Sequence, residues 1–166
     1  MTAVRVYRAS RKLRGQFDPL DSRASVMRDG WRYNDNRTEI LYTAEVEALS
    51  ILEVVARPGW ETVVELNIAA IEVPDGSVVN LSDLAITLPS NWNQRPAARN
   101  AQRIGAEFLT AVDRAQTEGR TVCGLRIPSV ISTTDHNVLL DPRQKSAYRI
   151  ADWSRIPFDW LISSST

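Results

Sequence analysis

DGWRYNDNRTEILYTAEVEALSILEVV, residues 29–55, places an arginine between aromatic residues, then an apolar strand, then a helix with a glutamate inside its apolar run. EILYT, residues 39–43, is expected to form a short strand. Thr43 is expected to cap a helix whose first turn carries Glu45, where a negative charge complements the helix dipole. The helix should reach about Val55 and stop near Pro58 and Gly59. Within it Val46, Leu49, Ser50 and Glu53 share one stripe, and Ala44, Ala48, Ile51, Leu52 and Val55 form the neighbouring apolar stripe. This puts Glu53 beside the core, not opposite it. A carboxylate partly withdrawn from water needs hydrogen-bond donors or a cation, or it takes up a proton. An edge glutamate reaching solvent between apolar neighbours satisfies the same periodicity, so spacing alone leaves its role open.

Outward from this stretch, AVRVYR, residues 3–8, alternates as a strand, and residues 9–29 are polar and irregular, as in a long surface segment. TVVELNIAAIEV, residues 62–73, is β-branched and ends at Pro74-Asp75-Gly76, which predicts another strand. After a proline-containing loop around LPSNWNQRP, residues 98–117 place Ala101, Ile104, Phe108, Val112 and Ala115 on one face of a long helix. TVCGLRIPS (121–129) and NVLLDP (137–142) fit buried strands ending at prolines, and FDWLI near the end fits one more. The strands are not regularly interleaved with helices, which argues against a doubly wound parallel sheet. The expected fold class is α/β of the α+β type, a mixed sheet with flanking helices. With no repeat, linker or composition shift, residues 1–162 are expected to form one domain, and SSST, residues 163–166, a loose tail.

A chain of 166 residues with 43% hydrophobic content and five tryptophans suits one packed domain. No apolar stretch approaches the roughly 20 residues of a membrane span. The N-terminal MTAVRVYRAS has no long apolar segment, so a cytoplasmic location is expected. Twenty basic residues balance twenty acidic ones, which removes the electrostatic basis for strong general nucleic-acid binding. Arg95, Arg99 and Arg103 recur at helical spacing before and along an amphipathic stretch, and are expected to project from one face, either solvated or towards an acidic partner or phosphate. Cys123 and His136, each the single residue of its kind, make neither a disulfide nor a zinc site and are read as structural. Neither GxGxxG nor GxxxxGK[ST] occurs, and no GxSxG elbow supports a serine nucleophile.

The order VYR, WRYN, LYTAE with ALSILEVV, LRIPSV and NVLLDP resembles the RES domain family, the toxin half of Xre-RES toxin-antitoxin pairs. The resemblance runs from Val6 to Pro142. The arginine, glutamate and serine that give the family its name fall on Arg32, Glu53 and Ser129, with Tyr42 between the first two. Where members commonly read GGRWN, this chain has GWRYN, so Trp31 replaces a small residue and Tyr33 a tryptophan. Where the last motif often ends NP, it has Asp141-Pro142.

The resemblance implies a fold related to the ADP-ribosyltransferases and cleavage of the nicotinamide-ribose bond of NAD+, with phosphate or water as acceptor. Two alternatives are transfer of ADP-ribose to a protein and a non-catalytic interaction module. NAD+ enters as substrate, and neither a cofactor nor a metal is expected. On this reading Glu53 holds ribose hydroxyls and orients the acceptor. Arg32 offers a planar fork to pyrophosphate or phosphate and a countercharge for Glu53. Tyr42 supplies an aromatic face and a hydroxyl, and Ser129 a positioning hydroxyl. Arg8 and Asn137 form a second tier of substrate-binding candidates. The family also implies a neutralising Xre-type antitoxin, with DNA contacted only through it, and leaves a homodimer open.

Overall fold

The computed structural model of the protein describes residues 3–11, 18–57 and 65–157. Seven strands form one sheet: β1 (Ala3–Arg11), β2 (Leu41–Ala44), β3 (Glu65–Pro74), β4 (Val78–Asn80), β5 (Gly124–Pro128), β6 (His136–Leu140) and β7 (Arg149–Pro157). Their spatial order is β4-β5-β6-β2-β1-β3-β7, antiparallel throughout apart from the parallel β4-β5 pair. Among the described residues two α-helices accompany the sheet, α1 (Glu47–Val55) and α2 (Arg99–Thr117). The mixed α+β arrangement matches the expectation.

Neighbouring side chains on a strand point to opposite faces, and the core divides accordingly. On β6, Leu139 joins Tyr33, Ile40, Leu125 and Ile127 on one face, while Val138 and Leu140 join Val6, Leu41, Ala69 and Ile71 on the other. β3 is buried continuously from Leu66 to Ile71, which is why its sequence there is apolar apart from Asn67 rather than alternating. The expected stripe of α2 is fully buried, and its Ile104, Phe108, Val112 and Ala115 belong to the first of these clusters. Burial of side chains as large as Ile104 and Phe108 contributes about 1.5–3 kcal/mol each.

Gly105 lets α2 approach the 29–34 turn without a side chain between them. Its N–H donates to the Tyr33 carbonyl at 2.6 Å, and Gln102 Nε2 donates to the carbonyls of Asp29 and Trp31 at 2.8 and 3.0 Å. A turn that carries site residues is thereby fixed to the longest helix.

Several boundaries differ from expectation for identifiable reasons. Thr43 does not cap α1. It lies in β2, where pairing with β6 continues to Ala44, and its hydroxyl donates to the Val138 carbonyl at 2.7 Å. The N-cap is Val46, Glu47 holds the first turn, and Glu45 pairs with Arg126 instead. The orientation of α1 also departs from the expected one. Leu49 and Ser50 are its buried residues, whereas Ala48 is exposed and Leu52 is 46% exposed, so much of the apolar stripe faces outward. Arg95 precedes α2 and does not share a helical stripe with Arg99 and Arg103; Arg103 pairs with Glu107 one turn on. Residues 62–64, FDWLI and the SSST tail lie outside the described residues.

Candidate active site

Glu53 projects from the last part of α1 and is only partly exposed. Its Oε1 accepts two hydrogen bonds, from Ser129 Oγ at 3.0 Å and from Asn137 Nδ2 at 2.6 Å. Ser129 follows β5 and is 6% exposed; its oxygen accepts from the backbone N–H groups of Ile131 and Ser132. These two donors orient the hydroxyl, whose own proton goes to Glu53. Asn137 lies on β6, paired with Ala44 of β2 and Ile127 of β5. Both hydrogen bonds converge on Oε1, and Oε2 carries none among the described residues. One oxygen is anchored and the other remains available to a ligand.

The WRYN turn forms an adjoining wall. Gly30 has φ +80°, and a side chain there would place Cβ 2.2 Å from the Asn34 carbonyl, so only glycine fits. The Trp31 N–H donates to that carbonyl at 2.9 Å. Fully buried Asn34 donates to the carbonyls of Ser25 and Asp35, both at 2.8 Å, and accepts from the Tyr42 hydroxyl at 2.7 Å. The same phenol oxygen accepts from Tyr33 N–H at 3.1 Å. Burial pushes the Tyr42 phenol above its ordinary range and keeps it neutral. The Tyr42 hydroxyl is thus engaged in holding the turn. Its ring lies 4.9 Å from that of Trp31, at 47°.

Arg32 Nη1 donates to the carbonyls of Trp92 and Gln94, each at 2.9 Å, tying the loop before α2 to the turn. Among the described residues it forms no ion pair with Glu53. Arg8 on β1 donates to the carbonyls of Pro19 and Asp21 at 2.6 and 2.5 Å, and burial lowers its pKa to about 10. Arg32, Glu53, Tyr42, Arg8 and Asn137 all line one cavity of about 670 Å³, a volume suited to a small-molecule ligand. Ser129 stands behind Glu53 as its hydrogen-bond donor.

Arg57 was not foreseen from sequence, and Trp31, noted there as a departure from the family pattern, lines the same cavity. Arg57, just beyond the end of α1, has its guanidinium carbon 4.0 Å from the centroid of the Trp31 ring. Burial lowers its pKa, and attraction to Glu53 opposes that shift. Arg57 thus adds a positive charge to the cavity that holds Glu53, and among the described residues no ion pair joins the two. Trp31 itself forms wall rather than a gap, and the available signal was its position in a turn flanked by Gly30 and Arg32. Tyr33, by contrast, is 3% exposed, joins the core and donates to the Pro128 carbonyl at 3.2 Å. Asp141 is fully buried and caps the turn that follows β6. It accepts from Arg143 N–H and Nε at 2.9 Å and pairs with Nη2 at 2.8 Å.

The RES domain profile matches residues 5–161 of the chain. A protein called Toxin Res from Yersinia enterocolitica is 30% identical over 118 residues, which cover 70% of this chain and 71% of the relative. Another, called Prs ADP-ribosylating toxin, from Sphingobium, is 33% identical over 129 residues, covering 71% and 70%. The fold is similar to that of a chain in the crystal structure of the M. tuberculosis MbcT-MbcA toxin-antitoxin complex. The TM-score is 0.67 and the identity 13%, with 98% of this chain and 88% of the other covered.

Proposed function

The chain belongs to the RES domain family, and on that premise we propose that it is the toxin of a toxin-antitoxin pair and acts by cleaving the nicotinamide-ribose bond of NAD+, with phosphate or water as acceptor. The observation that carries this reading is the half-anchored carboxylate of Glu53, with Oε1 held by Ser129 and Asn137 and Oε2 uncommitted at the cavity wall. As the C1–N bond breaks, its electron pair passes to the pyridinium nitrogen and nicotinamide leaves neutral. Positive charge then develops on the ribose, as in glycoside hydrolysis, and a fixed carboxylate stabilises it. The acceptor oxygen bonds to C1, and its proton passes to Glu53 or to solvent. Arg32, Tyr42 and Arg8 hold the walls, and Asn137 and Ser129 fix the carboxylate. Side-chain charge supplies the chemistry without a metal, so turnover is expected to persist in chelator.

A second reading, ADP-ribose transfer to a protein, is favoured by the relative called an ADP-ribosylating toxin. Both readings call for a neutralising antitoxin. The solved toxin-antitoxin complex of similar fold supports such a partner, which we expect to be of the Xre type and to carry any DNA contact. A cytoplasmic site of action goes with an NAD+ substrate. Purified protein should release nicotinamide from NAD+, and phosphate dependence of the product names the acceptor. Glu53→Gln, which keeps the shape, should fold and release none. NAD+ left intact with and without phosphate, together with no labelling of extract proteins from labelled NAD+, would refute both readings.

A further inference from the structure

Among the described residues the cavity is lined by five arginines, Arg8, Arg11, Arg32, Arg57 and Arg95, against one carboxylate, that of Glu53, in a chain of zero formal net charge. Such local excess of positive charge suits an anionic ligand. The arginines are not equally available. Both terminal nitrogens of Arg8 are bonded to carbonyls of the 18–22 segment, and Nη1 of Arg32 is shared by two carbonyls of the 89–97 loop. Of the others, the guanidinium groups of Arg57 and Arg95 are held by no hydrogen bond or ion pair among the described residues, and of these two it is Arg57 that an aromatic ring fixes in place. It lies over the Trp31 ring, and Trp31 is in turn braced by Tyr42. A guanidinium resting on an aromatic face uses its π surface there, while its N–H donors project from its edge. The stack therefore fixes the group without consuming its donors.

We propose that Arg57, oriented by Trp31, is the residue that grips the pyrophosphate of the dinucleotide substrate. The assignment deepens the NAD+ reading above and rests on it for the identity of the ligand. A substrate that brings two phosphate charges into a cavity already holding Glu53 needs a cation with free donors close to both. Arg57 meets this need, because it feels the charge of Glu53 and lines the same cavity. Trp31 is the positioning residue for that grip.

The test compares wild type with Arg57→Ala, Arg57→Lys and Trp31→Ala. Calorimetry with inorganic pyrophosphate and ADP-ribose is run beside turnover of NAD+ and of nicotinamide riboside, which has the same scissile bond and no phosphate. Arg57→Ala should weaken pyrophosphate and ADP-ribose about tenfold or more, as expected for loss of a charged hydrogen-bonding group. It should raise KM for NAD+ more than it lowers kcat, and the ratio of kcat/KM for NAD+ to that for nicotinamide riboside should fall by a similar factor. Lysine, a point charge without the planar fork, should recover only part of the loss, and Trp31→Ala should reproduce part of it. Unchanged affinity for both phosphate ligands in Arg57→Ala would overturn the assignment, as would an equal loss on both nicotinamide substrates. Failure of wild type to bind either phosphate ligand would overturn it too. If wild type cleaves no NAD+ but Arg57→Ala still loses pyrophosphate and ADP-ribose binding, the reaction is wrong and the anion site stands.

Discussion

Gly105→Ala sets helix propensity against a close approach that positions the site. In an exposed helix interior, replacing glycine with alanine stabilises by about 1 kcal/mol. At position 105 the new Cβ would sit 2.6 Å from the Tyr33 carbonyl oxygen, with Asn34 Cβ and Ile40 Cγ1 at 3.2 Å. A carbonyl is backbone and cannot rotate aside, so α2 and the WRYN turn must separate by several tenths of an ångström. Overpacking of this kind costs about 1–3 kcal/mol, and weakening the Gly105-Tyr33 hydrogen bond costs about 1 kcal/mol more. Offset by propensity, the expected result is a loss of about 2 kcal/mol, or a Tm lower by about 4–8 °C for a chain of this size. Denaturant unfolding measures it, beside Ala106→Gly, an exposed change on the same helix that isolates propensity at about 1 kcal/mol. The displaced turn should also reduce nicotinamide release in protein that remains folded. Stability equal to or above wild type would refute the reasoning, since propensity would then have outweighed the contact.

Two further outcomes follow from the same geometry. Asn137→Asp replaces the donor 2.6 Å from Glu53 Oε1 with a second carboxyl, and two carboxyls at that distance cannot both ionise. Turnover should fall at least about tenfold, with the acidic limb of the pH-rate profile moved upward; an unshifted profile would contradict the pairing. Glu72 on β3 bonds to Arg5 of β1 and Arg149 of β7, which holds its carboxyl below the ordinary value of 4.5. A depressed folded-state pKa means that the unfolded chain binds more protons as pH falls, so this stabilisation is present above about pH 4.5 and is lost below it. Urea midpoints of wild type and Glu72→Gln should therefore differ near neutral pH and converge in acid, and a gap that widened on acidification would reverse the sign.

The α2 face was legible because its apolar residues recur at the helical period and nothing in the tertiary structure competes with that pattern. Glu53, Ser129 and Asn137 were legible as candidates, but their convergence was not, because hydrogen bonds across a fold leave no trace in local spacing. The inner face of α1 was misread for a related reason. Its apolar residues nearly encircle the helix, so periodicity could not say that Leu49, Ser50 and Glu53 would turn inward. β4 has only three residues, too few to show alternation, and β7 is a largely exposed edge strand whose sequence is under little pressure to alternate. Arg57 was not legible because it belongs to no local pattern, and its contact with Trp31 is made by the fold between positions distant along the chain.

The two partners of Glu53 lie 76 and 84 residues further along the chain. During synthesis the helix carrying Glu53 leaves the ribosome long before Ser129 and Asn137 exist. A nascent or truncated chain that ends before residue 129 can build α1 but not the carboxylate's anchor. Any activity that depends on this carboxylate is then withheld until the chain has been made through β6 and β6 has paired with β2, which leaves an interval between the synthesis of α1 and the completion of the site.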